Sequence, residues 1–393
     1  MRVRFPFLNQ SIDDGSFESL VELSDESLAT TTSIVHDLDS DERERFTYIS
    51  MIHAALYHHK KVAGESKFAL PENFESTIRA VENAMTQLAG SIGIEHRFLS
   101  VFYLFYNPEI PDLQGKFAQF RPSEYETAFL RVNKEGTLQY KLAANALVTV
   151  YNQLQSTFSS FESITSLLET AANAFHKISL GNGMLLKTSG GEEFKFLTQY
   201  FGEVQVSGKT LRGVNAGDQP WSYIIDLLLG VDLKHVFEHA FEGTPSARHY
   251  PPEIKTSADV VHHEFQSGEY LHGNYLLPED YEYLKDVIQK ITNSGKPLTS
   301  AIPISFSDRE QLEIAKLLYE ITKQYLAASN VHYQLAKRFV PKNPDGEQIG
   351  SAGTHIVQFL KEGLNVERER VKNNLELKYT NLLKTNKMET INA

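Results

Sequence analysis

Residues 307–341 read SDREQLEIAKLLYEITKQYLAASNVHYQLAKRFVP, and this stretch decides the class of the fold. Ser307 followed by Glu310 has the form of a capping box, in which each side chain serves the other's backbone N–H at a helix start. Ile314, Leu318, Ile321, Tyr325, Ala328, His332, Leu335 and Phe339 then recur at three- and four-residue spacing, one face of a helix, until Pro341 stops it. His332 therefore projects from the buried stripe.

Outward from this helix the same period dominates. A second helix is expected from about His355 to Leu375, and apolar residues from Tyr140 to Lys177 repeat at helical spacing as one long helix, ended by GNGMLLKTSGG. Residues 72–107 continue helically to the aromatic run Val101–Tyr106, after which Pro108, Pro111 and Pro122 mark a change of direction. Residues 16–60 read as helices broken by acidic turns such as Asp37–Asp41, residues 192–204 as a short helix, and the polar segment Leu211–Pro220 as a loop feeding the apolar run Trp221–Gly230. Strand signals are few and short, so the expected class is all-α. The expected organisation is an N-terminal helical subdomain, 1–120, followed by a helical domain over 121–393.

Composition limits the function classes. The chain has 393 residues, a net charge of -12 and no Lys/Arg block, which disfavours nucleic acid and anionic membrane as partners. With no cysteine, it holds no disulfide, iron–sulfur cluster, thiolate-ligated haem or Cys-x-x-Cys-His attachment. The start, MRVRFPFLNQSIDDG, lacks an apolar leader segment, and no stretch reaches the roughly 18 apolar residues of a membrane span, so a cytoplasmic location is expected.

His332 has the setting of an iron ligand, since a neutral imidazole on a rigid helix binds metal through one nitrogen and can donate from the other. Alone, a histidine on an apolar stripe is more often a satisfied core residue. The segment after it, GEQIGSAGTHIVQFLKEGL, sets Gly350, Ser351, Ala352 and Gly353 before Thr354 and a helix start. Such small residues let backbone amides and a hydroxyl approach a ligand closely, although an ordinary turn with Thr354 as N-cap fits as well. LRGVNAGDQP, residues 211–220, is a second small-residue loop, readable as pocket lining or as a connection capped by Asn215 or Asp218. The pairs His58–His59 and His262–His263 read as exposed polar histidines, because neighbours on a helix point about 100° apart and no HExxH spacing occurs. GxSxG, P-loop and GxGxxG signatures are absent.

Taken together and in this order, NAGDQP followed by Asp226, Leu228, Leu229 and Gly230, then VHYQLAKRFVP, then GSAGTHIVQFLK resemble the indoleamine 2,3-dioxygenase-like haem superfamily. AFHKI, around Phe175 and His176, is a further likeness, and the resemblance covers about residues 125–380. Within the superfamily, the branch containing the bacterial pyrrolnitrin-pathway enzyme is similar in pattern. The resemblance implies the superfamily's helical fold, with a haem pocket in the C-terminal part and His332 as proximal ligand of a non-covalent haem b. It further implies O2 and an indole or related aromatic amino acid as partners, in a monomer or homodimer.

By the same resemblance Asn215, Ala216 and Gly217 would line the distal side, with Arg212, Gly350 and Gly353 also at the cofactor. Ser351, Gly353 and Thr354 would approach the substrate's ammonium group or a haem propionate. The chain departs from the dioxygenases where their substrate-carboxylate arginine falls, at Thr198 or Gln199, and the distal serine's place falls near Gly136. Arg131 and Arg212 are the alternative carboxylate partners.

Overall fold

The computed structural model describes residues 4–37, 40–94, 100–107, 109–110, 116–156, 160–188, 193–202, 204–206, 209–211, 214, 219–240, 250–267, 276–294, 297–298, 306–342, 346, 348 and 355–370. The fold is all-α. Fourteen helices dominate the described residues, and β-structure among them is limited to two antiparallel hairpins and isolated bridges such as Lys342 to Gln348. None of the described helices is long and apolar enough to cross a membrane.

The N-terminal helices are α1 (Phe5–Asp13), α2 (Ser19–His36), α3 (Glu42–Glu65), α4 (Phe74–Ile92) and α5 (Ser100–Leu104). They pack around α3, which is buried nearly all round, with Phe46, Ile49, Ala55 and Leu56 fully enclosed. Asp41 caps α3 by accepting from the N–H groups of Arg43 and Glu44, so the acidic turn read from the sequence does start a helix. The expected helical stretch over 72–107 is in fact two helices, because Gly93 takes a left-handed φ of 78° and closes α4.

Hairpin β1 (Glu109–Ile110) with β2 (Lys116–Phe117) leads into α6 (Glu124–Leu154), which is followed by α7 (Phe161–Lys187). The single helix expected over 140–177 is thus two antiparallel partners. Ser160 marks the break by capping α7 through the Ser163 N–H. GNGMLLK does not end α7 but lies within it, because Gly181 brings the two backbones together. A Cβ there would sit 3.2 Å from Val132 Cγ1 on α6.

Beyond α8 (Phe194–Gln199) and hairpin β3 (Val204–Val206) with β4 (Lys209–Leu211) come α9 (Pro220–Leu229), α10 (Leu233–Ala240), α11 (Ser257–Ser267) and α12 (Pro278–Ser294). The N-cap position of α9 is Gln219, which makes no side-chain capping bond; Asn215 and Asp218 lie outside the described residues. The last described helices are α13 (Asp308–Phe339) and α14 (Ile356–Arg370).

The capping box at Ser307 and Glu310 is formed as read, and α13 stops at Pro341. Ser307→Ala should lower stability by about 1 kcal/mol, read as a shift of the denaturant midpoint at constant slope. An unchanged midpoint would show that the cap is idle. α13 lies along α7, α7 along α6, and α14 closes over α13 and α10. Their apolar faces form one core containing Leu147, Phe175, Ile224 and Leu318, while Phe46, Phe74, Phe102 and Phe120 belong to a second core around α1–α5.

Candidate functional site

A cavity of about 400 Å³ lies where α6, α7, α9, α13 and α14 converge. This size suits a small molecule or cofactor. Helix α6 contributes Phe129, Asn133, Thr137 and Tyr140, spaced three or four residues apart as one helical face demands. Ile178, Asn182 and Leu185 of α7 face them, and α9 adds Trp221 and Asp226. The stripe of α13 arrives as Tyr325, Ser329, His332 and Ala336, opposed by Phe359, Leu360 and Gly363 of α14.

The walls are aromatic as well as apolar. Tyr125 meets Phe194 and Phe339 edge-on at centroid distances of 6.5 and 6.0 Å, and Phe129 lies 5.4 Å from Phe194. Such edges and faces offer a planar ring an interaction beyond simple burial. Tyr325 donates to Asp226 Oδ1 at 2.6 Å, which ties α13 to α9 about two turns before His332.

His332 is half-buried, its remaining exposure directed at the cavity it lines. Burial pushes its pKa below the ordinary histidine value, so the imidazole is neutral at physiological pH, the form that ligates iron. Among the described residues it has no hydrogen-bond partner. The cavity's described lining includes no lysine or arginine, its charged members being Asp226 and Glu367.

The other expected site residues fall differently. Asn215, Ala216, Gly217, Arg212, Gly350, Ser351, Gly353 and Thr354 lie outside the described residues. The flanks of both loops are described, and all four line the cavity: Val214 and Gln219 around the first, Val340 and Ile356 around the second. Gln348 donates to the Val340 carbonyl at 2.7 Å and so holds the start of the second loop against the end of α13. Thr198 and Gly136 line the cavity, whereas Arg131 and His176 are exposed and do not.

One reading is corrected. His58 and His59 are not exposed: they are 8% and 0% accessible, because α3 passes through the centre of the N-terminal core and has almost no solvent face. His262 is exposed as expected, while its neighbour His263 is partly buried. The aromatic wall residues Tyr125 and Phe129 carry no mark in the sequence, since a helical aromatic stripe looks the same whether it packs on protein or faces a cavity.

No curated protein matches the chain. Residues 71–235, from α4 to the first turn of α10 and including the α6, α7 and α9 walls of the cavity, match the family model of monodechloroaminopyrrolnitrin synthase PrnB, which shows the resemblance to the pyrrolnitrin-pathway branch over that stretch.

Proposed function

We propose that this protein is a haem-dependent oxygenase that acts with O2 on an indole or related aromatic amino acid, with haem b held by His332. The observation that carries the reading is a neutral histidine, without a hydrogen-bond partner among the described residues, on the wall of an apolar, aromatic cavity. His332 lies beyond the residues matched by the family model, so its assignment rests on this geometry and on the resemblance of the segment around it. The donor set fits the group: one neutral imidazole on a rigid helix, with flat apolar walls for a macrocycle. Propionates find no described cation in the lining, and Arg212 together with the hydroxyls and amides of the loops after Val214 and Val340 is proposed to meet them.

When bound, the haem supplies activation of O2 at its iron. The protein's own contribution is positional. The Tyr325–Asp226 bond fixes α13 and hence the placement of His332, and the aromatic walls exclude water and stack the substrate ring. Asn215, Ala216 and Gly217 are proposed to line the distal side, and Ser351, Gly353 and Thr354 to meet the substrate's ammonium group, Thr354 through its hydroxyl. We assign the haem-binding part to 121–393 and an N-terminal helical subdomain to 1–120; the second core also takes in Leu130, Leu197, Tyr200 and Phe201 from beyond residue 120.

Oxygen consumption by the haem-loaded protein with indoles and tryptophan derivatives, followed by product analysis, tests the activity. Uptake coupled to an oxygenated product is expected, and no uptake with any aromatic amino acid would leave a non-catalytic haem-binding protein. A second reading, monooxygenation or rearrangement of a tryptophan derivative in secondary metabolism, is favoured by the family match. It is separated from ring cleavage by the product. Thr354→Val should lower turnover by about tenfold while haem content stays near that of the parent, the loss of one hydrogen bond to a charged group. Unchanged turnover would remove Thr354 from the site.

A further inference from the structure

The N-terminal core contains a second cluster of ligating groups, outside the cavity. Asp13 ends α1, and His58 and His59 stand side by side on α3; one ligand atom from each lies within 4.8 Å of the other two. All three side chains are at least 95% enclosed. Their hydrogen bonds define which atoms carry protons. Asn9 donates through Nδ2 to the Phe120 carbonyl at 2.8 Å, so its Oδ1 must face His59 Nε2, 2.9 Å away, as an acceptor. His59 Nε2 therefore carries the proton.

The His59 ring is fully enclosed, and a second proton on Nδ1 would have no acceptor within hydrogen-bond distance. Its Nδ1 is left with a bare lone pair, fully buried and without a hydrogen-bond partner. That lone pair faces Asp13 Oδ1 at 3.8 Å. Asp13 in turn faces donors, His58 Nε2 at 3.0 Å from Oδ1 and Tyr200 Oη at 2.8 Å from Oδ2, so its carboxylate too is an acceptor only. Two buried acceptors thus face each other with no proton between them, an arrangement that a bound cation would satisfy.

We propose that Asp13, His58 and His59 form a buried site for a divalent transition-metal ion of the zinc type, separate from the cavity of His332. His59 offers Nδ1 and Asp13 offers Oδ1. His58 Nε2, now 3.0 Å from that same oxygen, is the third ligand, and its proton is released or moves to Nδ1 when the ion binds. Two imidazoles and a carboxylate are a donor set that zinc accepts, at about 2.0–2.2 Å from each atom.

The surroundings hold the ligands as an outer shell does. Asn9 orients His59 through Nε2–H, and Tyr200 donates to Asp13 Oδ2 at 2.8 Å, which leaves Oδ1 for the ion. Arg121 Nε, 3.7 Å from Asp13 Oδ2, opposes the ion's charge and weakens binding without occupying a ligand atom.

The test is equilibrium dialysis of the tag-free, chelator-stripped full-length protein against Zn2+, with metal counted by atomic absorption. One equivalent per chain is expected, and it should persist in His332→Ala, which separates this site from the haem reading. His59→Gln keeps an N–H for Asn9 and removes the Nδ1 ligand, so Zn2+ affinity should fall by at least ~100-fold, more than outer-shell changes cost. Less than a tenth of an equivalent in the parent protein, or equal affinity in His59→Gln, would overturn the site. Should His59→Gln fail to fold, the cobalt K-edge spectrum of Co2+-loaded parent protein decides. Two imidazoles and a carboxylate about the ion support the site, and a hexa-aquo spectrum ends it.

Discussion

His332→Ala, purified and supplied with haem, is expected to lose stoichiometric haem, with a Soret band at least about tenfold weaker than that of the parent protein. The imidazole is the only metal-ligating ring on the described cavity wall, and the cavity has no cysteine with which to replace it. Apolar contacts would remain, so some weak, unligated haem is compatible with the result. Free imidazole should enter the space vacated by the side chain and restore a histidine-type spectrum, which a residue with a merely structural role would not allow. A variant with full haem content and an unchanged ferrous and carbon monoxide spectrum would remove His332 as the ligand.

The element that bears His332 could be read from the sequence because its signals are local. Ser307 and Glu310 meet three residues apart, the apolar stripe repeats at one period, and Pro341 has no N–H with which to continue. Tertiary packing decided what could not be read. The stripe from Tyr140 to Lys177 keeps helical spacing across the break at Ser160, because α6 and α7 present their apolar faces to the same core. Gly181 is a helix breaker by composition, yet here its missing side chain permits close approach to Val132.

The site divides in the same way. His332 is conspicuous as a polar residue on an apolar stripe, whereas the walls built by Phe129, Phe194 and Trp221 carry no mark that separates cavity from core. His58 and His59 show the reverse failure. Adjacent residues on an amphipathic helix cannot both face inward, and the argument for exposure depends on α3 being amphipathic. With α1, α2 and α4 all packed on it, α3 has no outside for either ring to reach.

Glu126→Gln is expected to destabilise the protein by about 3 kcal/mol at pH 5, the cost of a broken buried polar network. Near the start of α6, Glu126 meets donors only: Oε1 accepts from Tyr103 Oη at 2.7 Å and the Phe120 N–H at 2.8 Å, and Oε2 accepts from the Arg121 N–H at 3.0 Å. Whichever way a glutamine turns, its N–H2 meets the N–H of Phe120 or Arg121, and that backbone group loses its acceptor. The protonated acid avoids this: its O–H can be donated to Tyr103 Oη, which turns to accept it, while both oxygens still accept from the two backbone N–H groups.

Titration gives the same residue a signature in pH. Burial pushes the Glu126 pKa up to about 7, against the opposing pull of Tyr103, Phe120 and Arg121. A carboxyl whose pKa is higher folded than unfolded binds its proton more tightly in the folded state. Its contribution is complete below about pH 4.5 and is lost as pH rises through about 7, at no more than about 1.4 kcal/mol per pH unit. The stability gap between parent and Glu126→Gln should therefore narrow between pH 5 and 8, measured by urea unfolding at each pH. A gap that stays constant across that range would mean that the three donors hold the carboxylate ionised throughout. Because Tyr103 also lines the cavity, changing its bond to Glu126 should weaken ligand affinity even where the protein stays folded.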